Sequence, residues 1–166
     1  MVIKPHHFMD IIKLYGGGIQ VFVPDTDYGH DFYRAANEII GNHRIQIKVT
    51  SGADDICGPC RFLGSDKTCT DCISHIKGIR SKNSYNKMLD CRIMDILGLG
   101  EDAVYTAEEL CRIMGDCPGL VADVWKEEAE ACRETARKRQ QLFEAGGRKY
   151  RMWKKERRQT VSQMLP

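Results

Sequence analysis

The chain has 166 residues, of which 42% are hydrophobic and 29% charged, and its formal net charge is +2. These values are typical of one globular domain that can bury a core without disulfide bonds, and they exclude nucleic-acid binding by overall charge alone. The N-terminal residues lack the pattern of a signal peptide, and no apolar run reaches the ~20 residues of a membrane span. We therefore expect a cytoplasmic protein with reduced thiols and no membrane contact.

Two helices and a strand are predicted before the cysteine-rich region. Pro5 is well placed to begin a helix that ends at Gly16-Gly17-Gly18, and residues 31–40 predict a second helix. Residues 19–25 (IQVFVPD) fit either a short strand or a loop. Residues 44–50 alternate apolar and polar side chains, which indicates a strand with one buried face.

The second half of the chain predicts further helices. One covers residues 84–97, and another follows the capping-box pattern of Thr106 and Glu109 and runs to about residue 114. Pro118 opens a long helix that we expect to end at Gly146-Gly147. The sequence therefore predicts a predominantly helical α+β fold with a short strand element. Residues 1–116 would form the cysteine-rich domain, and residues 117–166 a basic helical extension that is not a separate domain.

Four of the eight cysteines lie within residues 54–72, as two Cys-x-x-Cys pairs in a loop rich in glycine. Such pairs let two sulfurs face one centre, and four thiolates suit both tetrahedral zinc and a four-iron cluster. In a reducing compartment this spacing favours a metal site over a disulfide framework. The spacing alone leaves zinc and iron–sulfur open. The expected ligands are Cys57, Cys60, Cys69 and Cys72.

Several stretches resemble the small bacterial and archaeal proteins grouped as domain of unknown function 1284. They are residues 3–8 (IKPHHF), residues 51–60 (SGADDICGPC), Cys69, Asp90 and residues 97–99 (LGL), so the resemblance covers about residues 3–99. It implies an iron–sulfur cluster rather than zinc. The family pattern has a cysteine where this chain has Asp10, which implies a fourth ligand from elsewhere.

The fourth ligand has ranked candidates. Cys72 comes first because it completes the second pair, followed by Cys91 and then by Asp10 or a histidine. Carboxylate oxygen is a harder and poorer ligand for cluster iron than thiolate. Ligation by three cysteines would leave an open iron and favour catalysis over electron transfer.

His6 and His7 occupy the first turn of the first predicted helix. Adjacent helical residues point about 100° apart, so we do not expect both to reach one metal. In one interpretation, one histidine is a core or capping residue and the other lies at the surface. In the other, which the resemblance favours, at least one lies beside the cluster as a hydrogen-bond partner or acid–base group. Asp54 and Asp55 would cap local N–H groups or orient a histidine.

The other cysteines have simpler predicted roles. Cys91, Cys111 and Cys132 fall on apolar helix faces, where a free cysteine packs as a small hydrophobic residue. Cys117 precedes Pro118 at a helix start, where a thiolate would be stabilised. A second metal site on Cys91, Cys111 and Cys117 matches no established spacing.

The extension is basic, with twelve Lys/Arg against six Glu from Lys126 to Arg158. Its simplest interpretation is a solvated helix face with intrahelical ion pairs. It could pack back on the body or on another subunit. Docking of a protein partner or self-association is the main functional hypothesis, and nucleic-acid binding through Tyr150 and Trp153 is a weaker one.

These features predict a [4Fe–4S] protein that serves as a redox or accessory module for a partner. An alternative is an enzyme with an open cluster iron and with His6, His7 or Asp10 nearby. Another is a structural zinc protein in regulation. The sequence identifies no substrate.

Overall fold

The computed structural model describes the backbone of residues 1–163 and the side chains of residues 1–152. Within this range the fold is α+β and predominantly helical, as predicted. None of its helices combines the length and hydropathy that a bilayer crossing requires. The elements are β1 (Val2–Ile3), α1 (Pro5–Gly16), α2 (Phe32–Gly41), β2 (Gln46–Val49), α3 (Lys82–Leu97), β3 (Val104–Thr106), α4 (Ala107–Gly115), α5 (Leu120–Val124), α6 (Lys126–Ala131) and α7 (Arg133–Gln163).

The three strands form one sheet in the order β1-β2-β3, with β1 parallel and β3 antiparallel to β2. The predicted strand is confirmed in β2, where Ile47 and Val49 are fully buried. Strands β1 and β3 are too short to show alternation, so the sequence did not reveal them. Residues 19–25 form a loop, in which the Asn37 side chain hydrogen-bonds both the N–H and the C=O of Phe22.

Side-chain caps fix the starts of two helices. The predicted capping box is confirmed: the Thr106 hydroxyl accepts from the Glu109 N–H at 3.2 Å, and the Glu109 carboxylate accepts from the Thr106 N–H at 2.8 Å. Helix α3 begins earlier than predicted because Ser81 caps it, accepting from the Ser84 N–H at 3.2 Å. Gly98 ends α3 in a left-handed conformation that suits glycine.

The prediction of one long helix from Pro118 to Gly146-Gly147 was wrong in its interior and at its C-terminal end. The chain turns between α5, α6 and α7, and α7 continues through both glycines. Gly146 marks a close helix crossing rather than a helix end. A Cβ on Gly146 would overlap the carbonyl oxygen of Ile12, and a Cβ on Gly16 would overlap the carbonyl oxygen of Leu142. Helices α1 and α7 therefore touch backbone to backbone.

The extension packs back on the body, which is one of the two arrangements left open above. Phe143 and Tyr150 of α7 are buried. The Tyr150 ring stacks on His43 at 3.6 Å between centroids, and its hydroxyl donates to the Ile39 carbonyl at 2.8 Å. Tyr150 is therefore not exposed for nucleic-acid bases to stack on. The side chain of Trp153 lies outside the described residues.

Candidate metal and ligand site

The cysteine loop, residues 51–81, connects β2 to α3 without a helix, as predicted. Two antiparallel bridges shape it, one between Leu63 and Cys69 and one between Cys72 and Ser81. The first Cys-x-x-Cys pair is a tight turn in which the Cys60 N–H donates to the Cys57 carbonyl at 2.9 Å. Both pairs therefore belong to one folded segment that ends at the cap of α3.

Asp54 anchors this loop to α1. It is 6% exposed, and its carboxylate accepts from the Lys4 N–H at 2.9 Å and from the Cys57 N–H at 3.0 Å. The same carboxylate lies 2.7 Å from Nδ1 of His7. Burial opposes ionisation of Asp54, but the charge and hydrogen bond of His7 outweigh it and hold the pKa well below its usual range. Asp54 thus performs both roles predicted for the acidic pair.

Asp55 adds a second tie between the loop and the N-terminal strand. Its carboxylate accepts from the Val2 N–H at 2.8 Å, and its own N–H donates to the Val2 carbonyl at 3.1 Å. The Asp-Asp sequence therefore fastens the loop to β1 and to the start of α1. These bonds place Cys57 next to Lys4 and His7.

Cys57 lies in a polar, half-buried environment. Nζ of Lys4 donates to its Sγ at 3.4 Å, and Lys4 itself is only 6% exposed. Burial and the charge of Asp54 raise the pKa of the Cys57 thiol to about 11. The free thiol therefore keeps its proton at neutral pH, although a buried ammonium group interacts more favourably with a thiolate.

His7, Asp54 and Cys57 form the most compact set of metal-ligand atoms in residues 1–152. Their nitrogen, oxygen and sulfur atoms all lie within 4.8 Å of one another, and no other such group of three occurs in that range. The sequence pointed to Cys57 and, less directly, to His7. The remaining predicted ligands are free thiols in the same loop: Cys60 and Cys69 are half-buried, and Cys72 is exposed.

His6 forms a second histidine–carboxylate pair. Its Nδ1 lies 2.8 Å from each oxygen of Asp90, which is fully buried, and its backbone N–H donates to the same carboxylate at 2.9 Å. The rings of His6 and His7 are 4.3 Å apart between centroids. The His6 side chain is 5% exposed and that of His7 16%, so the structure does not support the interpretation in which one histidine lies at the surface.

A cleft of about 370 Å³ is lined by His6, His7, His30, His75, Glu128 and Arg139, among others. We call it the histidine cleft. Asp10 also lines it and forms ion pairs with Lys13 at 2.5 Å and Arg139 at 3.0 Å. Burial opposes ionisation of Asp10, but these two cations lower its pKa. Asp10 thus joins α1 to α7, and its contacts are cations rather than the cysteine loop.

The other cysteines differ in exposure. Cys111 is buried, as predicted, and burial raises its pKa to about 12. Cys91 and Cys132 are exposed, so the prediction that they pack in helix seams was wrong. Cys132 lies at the break between α6 and α7, where the Thr135 hydroxyl donates to its Sγ at 3.2 Å and lowers its pKa. Cys117 is half-buried and precedes only the five-residue helix α5.

Comparison with family models, curated proteins and solved structures gives no match to this chain. The resemblance drawn from residues 3–99 stays a prediction.

Proposed function

We propose that the chain is a cytoplasmic iron–sulfur protein that binds a [4Fe–4S] cluster on Cys57, Cys60, Cys69 and Cys72. The spacing of these cysteines and the resemblance to the domain of unknown function 1284 family support the proposal. All four are free thiols of one loop, and thiolates are the ligands that such clusters take. A bound cluster would supply one-electron transfer, so the protein would act as a small redox or accessory module.

The observation that carries this proposal is the buried ammonium group of Lys4 at the sulfur of Cys57. A buried cation needs an anionic partner, and a neutral thiol is only a weak acceptor. The neighbouring carboxylate of Asp54 is already occupied by His7 and by two backbone N–H groups. Lys4 therefore suits a Cys57 thiolate bound to a metal better than a Cys57 thiol.

The chain also fixes the backbone of the second cysteine pair. The Cys69 N–H donates to the side chain of Asn83 at 3.1 Å, and the Cys72 N–H donates to the carboxylate of Asp71 at 2.8 Å. These bonds restrict the backbone that carries both thiols. Because Cys72 is exposed, a metal held there would lie near the surface, where an electron-transfer partner can approach.

The test is anaerobic purification followed by visible absorbance and by iron and sulfide analysis. We expect a brown protein with a broad charge-transfer band and about four irons and four sulfides per chain. A colourless protein with one zinc per chain, even after anaerobic reconstitution, would contradict the proposal and favour a structural zinc protein in regulation.

Ligand variants test the assignment of the fourth ligand. Cys72→Ser should shift the electron paramagnetic resonance of the reduced cluster and lower its stability, because a thiolate is replaced by a harder ligand. Asp10→Ala should leave the signal unchanged, since Asp10 is paired with Lys13 and Arg139. The reverse result would indicate a differentiated iron and an enzyme that binds its substrate there.

A second candidate function is that of a mononuclear metalloenzyme with His7, Asp54 and Cys57 as ligands. It is favoured by the mutual approach of these three ligand atoms to within 4.8 Å. Imidazole nitrogen, carboxylate oxygen and thiolate sulfur are all zinc ligands, and catalytic zinc sites use three protein ligands plus an open position. Such a centre would activate a water molecule.

Two variants separate the candidates. Cys69→Ala removes a cluster ligand and leaves His7, Asp54 and Cys57 intact, whereas His7→Gln does the opposite. The cluster predicts loss of iron in Cys69→Ala and retention in His7→Gln. The mononuclear centre predicts that its metal is retained in Cys69→Ala and lost in His7→Gln. Cys57→Ala should lose the metal in either case and serves as the shared reference.

A redox module also needs a partner. We propose that the basic extension binds it, and that the partner is either a different protein or a second copy of this chain. The face of α7 that carries Phe143 and Tyr150 is buried against the body, so within residues 133–152 the opposite face is the exposed one. Arg148 on α7 is 62% exposed. Sedimentation of the purified protein at low and high salt tests self-association: a salt-sensitive dimer supports it, and a monomer in both conditions leaves docking of a different protein.

A further inference from the structure

The walls of the histidine cleft come from five helices, α1, α2, α3, α6 and α7, and from the loops before α2 and α3. No single segment of the sequence therefore contains it. The cleft shares His7 with the group around Cys57 but none of the four loop cysteines lines it. Its chemistry can be examined separately from any metal in the cysteine loop.

The acidic side chains of the cleft already have partners. Asp10 is paired with Lys13 and Arg139. Glu128 accepts from Arg139 at 2.8 Å and from the Tyr85 hydroxyl at 3.4 Å. Because both carboxylates are neutralised within the protein, the cleft offers little to a free cation.

Among the residues that line the cleft, the two buried polar side-chain atoms without partners are both nitrogens. Nδ1 of His30 and Nε of Arg139 are buried and have no hydrogen-bond partner within residues 1–152. His6 and His7 use Nδ1 to bind Asp90 and Asp54, which leaves Nε2 as the second polar atom of each ring. Buried polar atoms without partners are rare in folded proteins, so two in one cleft indicate a missing ligand or ordered water.

We propose that the histidine cleft binds a small oxyanion, the carboxylate or phosphate group of a small molecule. Nε–H of Arg139 is a permanent donor to such a group. Nδ1 of His30 lies in the same cleft as a second buried polar atom without a partner. The ring of Phe32 also lines the cleft and offers apolar contact to the rest of the ligand.

The experiment uses the full chain labelled with ¹⁵N at histidine and arginine. Inorganic phosphate and citrate are added in separate titrations at constant pH and ionic strength, with chloride as the reference salt. We expect saturable shifts of the ring nitrogens of His6 and His30 and of Nε of Arg139. Shifts with phosphate alone assign a phosphate ligand, and shifts with citrate alone a carboxylate ligand. Shifts with both support an oxyanion site that accepts either group.

Variants locate the binding. His30→Leu and Arg139→Gln should each weaken binding at least tenfold. Arg112→Gln should leave it unchanged, because Arg112 on α4 is 60% exposed and does not line the cleft. Arg139 also holds two ion pairs, so His30→Leu, a change in a loop, is the deciding variant if Arg139→Gln does not fold.

The absence of saturable shifts with both probes would overturn the proposal. Equal affinity in the wild-type protein and His30→Leu would overturn it as well. Repeating the titration on iron-loaded and on metal-free protein tests the oxyanion site independently of the proposed cluster. A protein that binds the oxyanion but never takes up iron would support the oxyanion site and contradict the cluster. A protein that takes up iron but binds no oxyanion would support the cluster and contradict the oxyanion site.

Discussion

The crossing of α1 with α7 is stabilised by backbone contact, whereas the cysteine loop is stabilised by hydrogen bonds to carboxylates. At the crossing, Gly16 and Gly146 let the helices touch, and an added Cβ would overlap a carbonyl oxygen. In the loop, Asp54 and Asp55 bind backbone N–H groups of β1, α1 and the loop itself. The crossing therefore tolerates almost no change in shape, while the loop depends on a few polar groups and can adjust around a ligand.

The largest expected effect is at the crossing. Gly146→Ala places a Cβ against the backbone of Ile12, which has no rotamer to move aside, so α1 and α7 must separate. We expect the free energy of unfolding to fall by about 3 kcal/mol, as in severe overpacking. Chemical denaturation monitored by circular dichroism measures this loss.

The matched control is the next residue. A Cβ on Gly147 meets nothing within 4 Å, and Gly147→Ala keeps the same helix and the same change in side chain. It should be neutral or stabilise the protein by up to about 1 kcal/mol through helix propensity. Equal losses in the two variants would show that the crossing is not as close as described.

A smaller effect is expected in the loop. Asp54→Ala leaves the Lys4 N–H without its acceptor and removes the partner of His7. It also removes the carboxylate acceptor of the Cys57 N–H, which keeps its bond to the Asp54 carbonyl at 3.0 Å. We expect a loss of about 2 kcal/mol, because buried donors without acceptors cost free energy. Hydrogen exchange should quicken at the Cys57 amide and not along α7, which distinguishes local opening of the loop from failure of the crossing.

Asp55→Ala is the control for that experiment. It removes one exposed hydrogen bond to Val2, so the loss should stay below about 1 kcal/mol. If Asp55→Ala destabilised the protein more than Asp54→Ala, β1 rather than Asp54 would be the main anchor of the loop.

Tyr150→Phe tests a hydrogen bond within the region held by packing. The change keeps the ring stacked on His43 and removes the bond to the Ile39 carbonyl. We expect a loss of about 1 kcal/mol in thermal or chemical unfolding. Tyr33→Phe should change stability by less than about 0.5 kcal/mol, since no hydrogen bond of its hydroxyl is present in the described residues. Equal losses would count against a role for the Tyr150 hydroxyl.

The smallest expected effect is that of Cys132→Ala. The thiol is exposed at the start of α7, so the change should alter stability by less than about 0.5 kcal/mol. Iron content should be unchanged, in contrast to Cys69→Ala. Loss of iron in Cys132→Ala with retention in Cys69→Ala would overturn the proposed set of ligands.

Local patterns predicted the elements that local forces define. The capping box at Thr106 and the alternation around Ile47 both involve near neighbours in sequence, and both are confirmed. The glycines at 146 and 147 were misinterpreted because a glycine pair often ends a helix. The role of Gly146 depends on α1, more than a hundred residues away, which no local pattern can show.

The candidate site also combines features that local sequence predicted with contacts between distant residues that it did not predict. Spacing alone singled out the cysteine pairs and the two adjacent histidines. It did not show that His6 would pair with Asp90, which is 84 positions away. A histidine partner was predicted for the acidic pair at 54 and 55, but not that it would be His7 on Asp54, 47 positions away. His30, Glu128 and Arg139 had no distinguishing motif, because only the packing of the loop before α2 with α6 and α7 brings them to one cleft.

The contact of α1 with α7 has a consequence for synthesis on the ribosome. Asp10 and Arg139 pair across 129 positions, so α1 emerges long before the helix that covers it. Until then its apolar face is open to chaperones, and His6 and His7 lack the cleft around them. Such long-range contacts slow folding, because a long loop must close before they form. A nascent chain halted before residue 139 would carry every loop cysteine and both histidines, and yet no finished histidine cleft.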